Sequence, residues 1–189
     1  TELTFQSEGG IEVTADYYEL ADSSDTFILL FHQAGYSRGE YKGTAHTLND
    51  LGFNCFAVDQ RSGKEVNGVQ NETFLQAQEK GLGTEYPDAY PDLKAAFEFV
   101  KENYNPEKII LVGSSYSASL VFILASEYPD DISGIASFSP GEYFMYKGKK
   151  IESYASEVNC PVFITSAKDE FDSWEAIYNA IPSEEKSYF

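Results

Sequence analysis

Positive charge is scarce in this chain of 189 residues, which carries 13 lysines and arginines against 31 aspartates and glutamates and has a net charge of −18. The phosphates of a nucleic acid repel so acidic a protein, so we expect no nucleic-acid partner. Cysteine is also rare: Cys55 and Cys160 are predicted to be buried thiols, because two residues make no disulfide framework. No cysteine–histidine spacing suits zinc, and no glycine-rich segment has the spacing of a nucleotide-binding loop. We therefore expect no metal and no other cofactor.

Long apolar runs are absent as well. No stretch approaches the roughly 20 apolar residues that a membrane-spanning helix needs, so no membrane span is predicted. The opening residues, TELTFQSEGG, do not read as a signal peptide, but the chain begins without Met, so a cytoplasmic protein and one secreted after removal of a leader both stay open. Hydrophobic residues make up 42% of the chain, which predicts a globular protein with a single domain over residues 1–189.

Short apolar segments alternate with amphipathic ones along most of the chain. Residues 1–20 predict an antiparallel hairpin that turns at Gly9 and Gly10. Residues 64–90, which are polar and irregular, predict a long surface insertion, in which a short helix over residues 73–80 is possible. Five further strands are predicted in TFILLF, NCFAVD, KIILVG, ISGIASF and CPVFIT, with helices between them, and residues 186–189 predict the opening of one more strand. Strands that alternate with helices form a mostly parallel central sheet with helices on both faces, so the predicted fold class is α/β.

The segment KIILVGSSYSAS, residues 108–119, combines an apolar strand, a tight turn and the start of a helix. The turn centres on Ser115, and the N-terminus of the following helix directs backbone N–H groups towards it. This segment resembles the nucleophile elbow G-x-S-x-G of the α/β-hydrolase superfamily, with Ser115 in the nucleophile position. Ser117 stands where the pattern has its second glycine, a position that needs a small residue because the helix passes close to the strand.

The resemblance to α/β-hydrolases extends over nearly the whole chain and implies an oxyanion hole. In that superfamily the hole uses the N–H of the residue after the nucleophile and one N–H from the loop after the third strand. Here these donors are expected to be Tyr116 and Ala34, with Gln33 as the fallback for the second. His32 is the first residue of this loop and is expected to brace its turn, whereas Asp59, at the end of the next strand, is expected to bond the turn that follows it.

The resemblance also implies a catalytic acid after the seventh strand and a histidine after the eighth. Asp169, four residues past the apolar segment CPVFIT, fits the acid, and Glu170 or Asp172 could substitute. Both histidines, His32 and His46, precede the nucleophile, so the base is expected beyond residue 189, on a C-terminal strand and helix that the chain as given lacks. The alternative is a degenerate relative that binds without turnover, but the otherwise complete set of elbow, oxyanion loop and acid favours the first explanation.

The resemblance thus implies a serine hydrolase that cleaves a small-molecule carboxylic ester through an acyl-enzyme on Ser115. In size the chain looks like the dienelactone-hydrolase branch, although that branch has a cysteine nucleophile. Residues 141–157 are too few for a large cap domain, so short or accessible esters are expected, with Tyr36, Tyr143 and Phe144 at the rim of the site. A non-catalytic binding protein with a hydrolase fold and an acyltransferase stay open as alternatives, and so does the oligomeric state.

Overall fold

A computed structural model describes residues 1–20 and 25–189 of the chain. Its centre is an eight-stranded mixed sheet, and a separate two-stranded ribbon lies beside it. In chain order the strands are β1 (Glu2–Ser7), β2 (Ile11–Tyr18), β3 (Thr26–Phe31), β4 (Asn54–Val58), β5 (Glu65–Val66), β6 (Val69–Gln70), β7 (Lys108–Ser114), β8 (Gly134–Phe138), β9 (Val162–Thr165) and β10 (Lys186–Tyr188). The strands of the main sheet lie in the order β1-β2-β4-β3-β7-β8-β9-β10.

The pairing of the strands confirms the predicted α/β fold class. Strands β1 and β2 form an antiparallel hairpin whose turn contains Gly9 and Gly10, both with positive φ, and β2 pairs antiparallel with β4. From β4 to β10 every pairing in the main sheet is parallel. The carboxyl ends of these six strands therefore lie at one edge of the sheet, where ligands bind in folds of this kind.

The residues that the structure describes contain six α-helices, of which five lie close to predicted positions, whereas the fifth in chain order lies in a segment predicted to be a short connector. They are α1 (Lys42–Asp50), α2 (Glu72–Glu79), α3 (Tyr90–Tyr104), α4 (Tyr116–Glu127), α5 (Ile151–Ala155) and α6 (Phe171–Ala180). Short 3₁₀ turns precede three of them, at Arg38–Tyr41, Tyr86–Ala89 and Lys168–Glu170. Among the residues that the structure describes, no helix combines the length and the apolar character that crossing a bilayer requires.

The two faces of the sheet are covered to different extents. The larger core lies between one face and helices α2 to α6, and its largest fully buried side chains include Phe97, Phe122 and Trp174. On the other face α1 packs over a smaller core, next to an open apolar cavity of about 570 Å³. The sheet is not fully covered, since the strand residues Phe138 of β8 and Phe163 of β9 are 40% and 38% exposed. Helices thus lie on both faces, as predicted.

The predicted surface insertion over residues 64–90 is more ordered than expected, and the short helix considered possible around residues 73–80 is present as α2. Strands β5 and β6 form a small hairpin there, and α2 packs onto β2 with Thr73 and Ala77 fully buried. The sequence does not indicate this burial, because the segment is polar and its buried polar groups bond to residues distant along the chain. For example, the N–H of Thr14 donates to Thr73 Oγ1 at 3.0 Å. Both cysteines are free thiols, but only Cys55 is buried as predicted, since Cys160 is half-buried.

Candidate active site

Ser115 lies in a strained turn between β7, which ends at Ser114, and α4, which begins at Tyr116. Its backbone angles are φ 57° and ψ −121°, a region that non-glycine residues rarely adopt. The neighbouring strand holds the turn in place, because the N–H of Ser115 donates to the carbonyl of Phe138 at 2.8 Å. Such a strand–turn–helix arrangement exposes a serine hydroxyl at the carboxyl edge of the sheet.

The two small residues that flank the elbow let the helix pass close to the strand. A Cβ atom on Gly113 would lie 2.5 Å from the carbonyl oxygen of Ser117, so only glycine fits there. Ser117 is fully buried; its hydroxyl donates to the carbonyl of His32 at 2.6 Å and accepts from Gln60 Nε2 at 2.5 Å. The serine that replaces the usual glycine therefore ties the elbow to the loop after β3.

That loop, residues 32–36, is a tight turn in which the N–H of Tyr36 donates to the carbonyl of Gln33. The backbone N–H of Gln33 is already engaged, since it donates to Glu40 Oε2 at 2.8 Å. By contrast, neither the N–H of Ala34 nor that of Tyr116 has an acceptor within the part of the chain that the structure describes. For Tyr116 this follows from its place as the first residue of α4. The geometry therefore favours Ala34 over Gln33 as the second oxyanion donor.

His32 is fully buried beneath this loop. Its Nε2 accepts from the N–H of Gln60 at 3.1 Å and lies 3.2 Å from Asn71 Nδ2, which leaves Nδ1 to donate to the carbonyl of Gln33 at 2.9 Å. Burial lowers the pKa of His32 to about 4, so the ring is neutral at pH 7. Both ring nitrogens are occupied, and the prediction that His32 braces the turn is confirmed.

His46, the other histidine, is exposed on α1, and its ring meets the edge of the Tyr18 ring at 5.1 Å between centroids. The sequence predicted a helical surface or packing position for it, and that prediction is confirmed. Neither histidine is hydrogen-bonded to Ser115 in the described ranges. These ranges include both histidines of the chain, so they supply no base in contact with the nucleophile.

The side chain of Tyr116 anchors the first turn of α4. It is fully buried, and its hydroxyl donates to the carbonyl of Ser62 at 2.8 Å. The ring of Tyr86 stacks on that of Tyr116 with centroids 4.7 Å apart, and Phe144 meets Tyr86 edge-on at 6.3 Å. These contacts fix the backbone at the position where Tyr116 would present its N–H.

Asp59 does not bond the turn that follows its strand, so this prediction was wrong. Its carboxylate accepts from the N–H and the guanidinium of Arg38, at 2.7 and 2.6 Å, and from the N–H of Glu72. The turn that contains Arg61 is held instead by Asp92 of α3, which accepts from the N–H of Arg61 at 2.9 Å and from its guanidinium. The sequence cannot distinguish these partners, because both pairs are distant along the chain.

Asp169 lies in the 3₁₀ turn Lys168–Glu170 after β9, where its carboxylate is exposed. It makes no hydrogen bond within the described residues. The neighbouring Glu170 is half-buried and differs in this respect, because its Oε2 accepts from Ser139 Oγ at 2.7 Å and from the N–H of Ala167 at 3.1 Å. Of these two acids, Asp169 is the one whose oxygens remain available to a new donor.

The end of β8 connects the acid loop to the elbow. The N–H of Ser139 donates to the carbonyl of Thr165, the last residue of β9, at 2.7 Å. One residue earlier, the carbonyl of Phe138 accepts from Ser115. The structure therefore places the loop that carries Asp169 two strands away from the nucleophile, on the same edge of the sheet.

The aromatic residues expected at the rim of the site lie at this edge of the sheet. Tyr143 is 43% exposed, and its hydroxyl donates to the carbonyl of Ser139 at 2.8 Å, next to the elbow. Phe144 is half-buried against Tyr86. Tyr36, 37% exposed, lies at the end of the oxyanion loop. Sequence reasoning missed Gln60 and Glu40; the only signal for Glu40 was an acidic residue soon after the HQAG loop.

A strained serine between a parallel strand and a helix, a facing loop with an unbonded N–H and an acid after a later strand define an α/β-hydrolase. The hydrolase family model described as "Serine aminopeptidase, S33" matches residues 22–150, more than half of the chain. The chain belongs to this family. No curated protein sequence matches it significantly.

Solved structures share the whole fold at low sequence identity. An esterase of Pyrococcus furiosus, Pf2001, matches with a TM-score of 0.70 and 16% identity over 100% of this chain and 79% of that one. Dienelactone hydrolase from Anabaena variabilis matches with a TM-score of 0.75 and 15% identity over 100% and 84%. Est1E from Butyrivibrio proteoclasticus, solved with ferulic acid bound, gives 0.73 and 14% over 99% and 88%. At these identities the likeness concerns the fold.

Proposed function

We propose that this protein is a serine hydrolase that cleaves carboxylic esters of small molecules through an acyl-enzyme on Ser115. The observation that carries the proposal is the strained backbone of Ser115, whose N–H is held by Phe138 while its hydroxyl stands at the sheet edge. Strain of this kind persists only where the surrounding structure enforces it, and it concentrates at active sites. The unbonded N–H groups of Ala34 and Tyr116 support the oxyanion hole.

In the first step Ser115 Oγ attacks the ester carbonyl and loses its proton to a histidine base. Two N–H donors, from Ala34 and Tyr116, stabilise the negative oxygen, and each is worth roughly 3–4 kcal/mol in such sites. The tetrahedral intermediate collapses, the C–O bond to the alcohol breaks, and the protonated base gives its proton to the departing alcohol. Water then repeats the sequence on the acyl-enzyme and releases the carboxylic acid.

The histidine base is proposed to lie beyond residue 189. His32 cannot act, because both of its ring nitrogens are bonded and its pKa of about 4 leaves it a weak proton acceptor at pH 7. Asp169 is proposed to orient the base, since its exposed carboxylate accepts nothing from the described residues, whereas Glu170 already accepts two hydrogen bonds. A carboxylate in this role holds the imidazole in the correct tautomer and stabilises the imidazolium.

Esters are proposed as substrates because the site is open and its neighbours in structure are named as esterases. Residues 141–157 hold only the short helix α5 and no cap over Ser115. The exposed ring of Tyr143 and the half-buried ring of Phe144 offer flat contact surfaces beside the elbow, which suits the acyl or alcohol group of a compact ester. The family is named for serine aminopeptidases, so an amide bond of an N-terminal residue is the alternative substrate to test.

The test measures hydrolysis of p-nitrophenyl acetate and butyrate by the complete gene product, with aminoacyl p-nitroanilides assayed in parallel. We expect a burst of nitrophenol equal to the enzyme concentration and steady turnover of the esters above the anilides. Preferential turnover of the anilides would assign the protein to peptide chemistry. Transfer of the acyl group to added alcohols in preference to water would assign it to the acyltransferases, and no turnover would favour a binding protein.

A further inference from the structure

Glu40 lies between the loop after β3, which carries Ala34, and the end of β7, which leads into Ser115. Its Oε2 accepts the backbone N–H of Gln33 at 2.8 Å, and its Oε1 accepts the side-chain amide of the same residue at 3.3 Å. Glu40 and Ser114 also line the same cavity, and the nearby hydroxyl of Ser114 acts to lower the pKa of Glu40. One side chain therefore binds the residue before the oxyanion donor Ala34 and lies near the residue before the nucleophile Ser115.

The 3₁₀ turn Arg38–Tyr41, which carries Glu40, is itself held on both sides. At its start, Ser37 Oγ accepts from the N–H of Gly39 and donates to the carbonyl of Val69 at 2.7 Å. At its end, the hydroxyl of Tyr41 donates to the carbonyl of Phe31 at 2.8 Å.

The first residue of this turn adds a third point of attachment. Arg38 is bound by the buried Asp59 through both its N–H and its guanidinium. Glu40 lies between Arg38 and Tyr41, so it extends from a fixed backbone, which is the condition for holding another group in place.

We propose that Glu40 is a positioning residue of the oxyanion hole, which captures the N–H of Gln33 so that the N–H of Ala34 is the one presented to the reacting carbonyl. This inference rests on the proposed function. The physical reason is the need of a half-buried N–H for an acceptor: without Glu40, the Gln33 N–H would seek another one, and the tight turn would rotate. An oxyanion donor displaced by a fraction of an ångström loses much of its effect.

A role as the general base of the reaction does not fit Glu40. Its carboxylate already accepts from the backbone N–H of Gln33 and from the side-chain amide of Gln33. These donors stabilise the ionised form, whereas burial raises the pKa of Glu40. Its contacts are with the residues next to the reacting groups, which is the place of a positioning residue.

The test compares Glu40→Ala, Glu40→Gln and the exposed control Glu79→Ala in the complete gene product, with p-nitrophenyl acetate as substrate. We expect Glu40→Ala to lower kcat about 10- to 100-fold and to change KM less than about three-fold, because a donor is misplaced rather than removed. Glu40→Gln keeps an oxygen acceptor for the Gln33 N–H and should retain kcat within about five-fold. Glu79→Ala should equal the wild type.

Amide hydrogen exchange gives a readout that needs no catalysis. We expect the Gln33 amide to exchange slowly in the wild type and in Glu40→Gln, and at least ten-fold faster in Glu40→Ala. If Glu40→Ala does not fold, Glu40→Asp replaces it, because the shorter side chain draws the carboxylate away from Gln33 and should lower kcat about ten-fold.

Two outcomes would overturn the inference, and they differ from each other. An active wild type whose kcat survives in Glu40→Ala, or in Glu40→Asp, would remove Glu40 from the reaction and leave the proposed function intact. A folded wild type that neither hydrolyses the ester nor reacts at Ser115 would remove the proposed function and this inference together. In the first of these outcomes, a loss of thermal stability in the folded variants would mean that Glu40 is merely structural.

Discussion

The two halves of the candidate site differ in how firmly the described residues hold them. In the half proposed to receive the carbonyl, Ser117, Gln60 and His32 are all fully buried and joined by hydrogen bonds. In the half proposed to handle the proton, Asp169 is exposed and bonded to none of the described residues. Under the proposed function, this difference means that oxyanion stabilisation is preorganised, whereas proton transfer needs the proposed histidine as well.

Substitutions in the buried half should lower the free energy of unfolding, because no water can replace a lost hydrogen-bond partner of its polar groups. A buried donor or acceptor left without its partner costs about 1–3 kcal/mol. In the exposed half, water can solvate the carboxylate of Asp169, so its loss should not change the free energy of unfolding. Substitutions in the first half should therefore affect stability and activity together, and those at Asp169 should affect activity alone.

The largest effect is expected for Ser115→Ala, which removes the nucleophile. We expect kcat for p-nitrophenyl acetate to fall by about 10⁴-fold or more, because the two remaining N–H donors cannot replace covalent catalysis. Ser126→Ala on the same helix is the matched control and should keep wild-type kcat. Residual activity within ten-fold of the wild type would show that Ser115 is not the nucleophile.

Asp169→Asn comes next and addresses the exposed half. Loss of the carboxylate leaves the base in the wrong tautomer, so we expect kcat of the complete gene product to fall about 10³- to 10⁴-fold. Thermal unfolding should stay within about one degree of the wild type. Asp172→Asn, equally exposed on α6, should change neither quantity, and if it alone abolished activity the acid would have to be reassigned.

Substitution of His32 tests the buried half through pH. Its pKa of about 4 lies below the ordinary 6.5, so the unfolded chain binds a proton first, and stability should fall as the pH drops from about 6.5 to 4. The shift in the pKa of His32 is worth about 3 kcal/mol of folding free energy at neutral pH. Urea unfolding at several pH values should show that the free energy of unfolding of His32→Gln depends less on pH than that of the wild type, by about this amount, whereas His46→Gln should match the wild type. The same pH dependence in all three proteins would contradict the buried, neutral state of His32.

The smallest effect is expected for Ser117→Ala, which removes the short hydrogen bonds that Ser117 Oγ makes with the carbonyl of His32 and the amide of Gln60. Gln60 Nε2 then keeps only its longer contacts of 3.4 Å, with the carbonyl of His32 and the hydroxyl of Tyr116. We expect the free energy of unfolding to drop by about 1–3 kcal/mol and kcat to fall less than ten-fold. Ser133→Ala, outside the site, is the control. An unchanged stability would mean that the serine in the place of the usual glycine only fills space.

Local patterns were sufficient to predict the elbow, the hairpin and the alternation of strands and helices. Ser115 was predictable because strand, turn and helix are all contiguous in sequence. Glu40 was not, because its importance depends on a hydrogen bond to Gln33 across a turn that the sequence does not describe. The prediction for Asp59 was wrong for the same reason, and the partner of Asp92 was not predictable, since ion pairs between distant segments leave no periodic signal.

Labelling with a fluorophosphonate tests most directly whether Ser115 is an activated nucleophile. The complete gene product is incubated with the reagent, digested, and the modified peptide is identified by mass spectrometry, with Ser115→Ala in parallel. The account predicts stoichiometric modification of Ser115 in the wild type and none in the variant. A folded wild type that is not labelled, or is labelled at another residue to the same extent in both proteins, would contradict it.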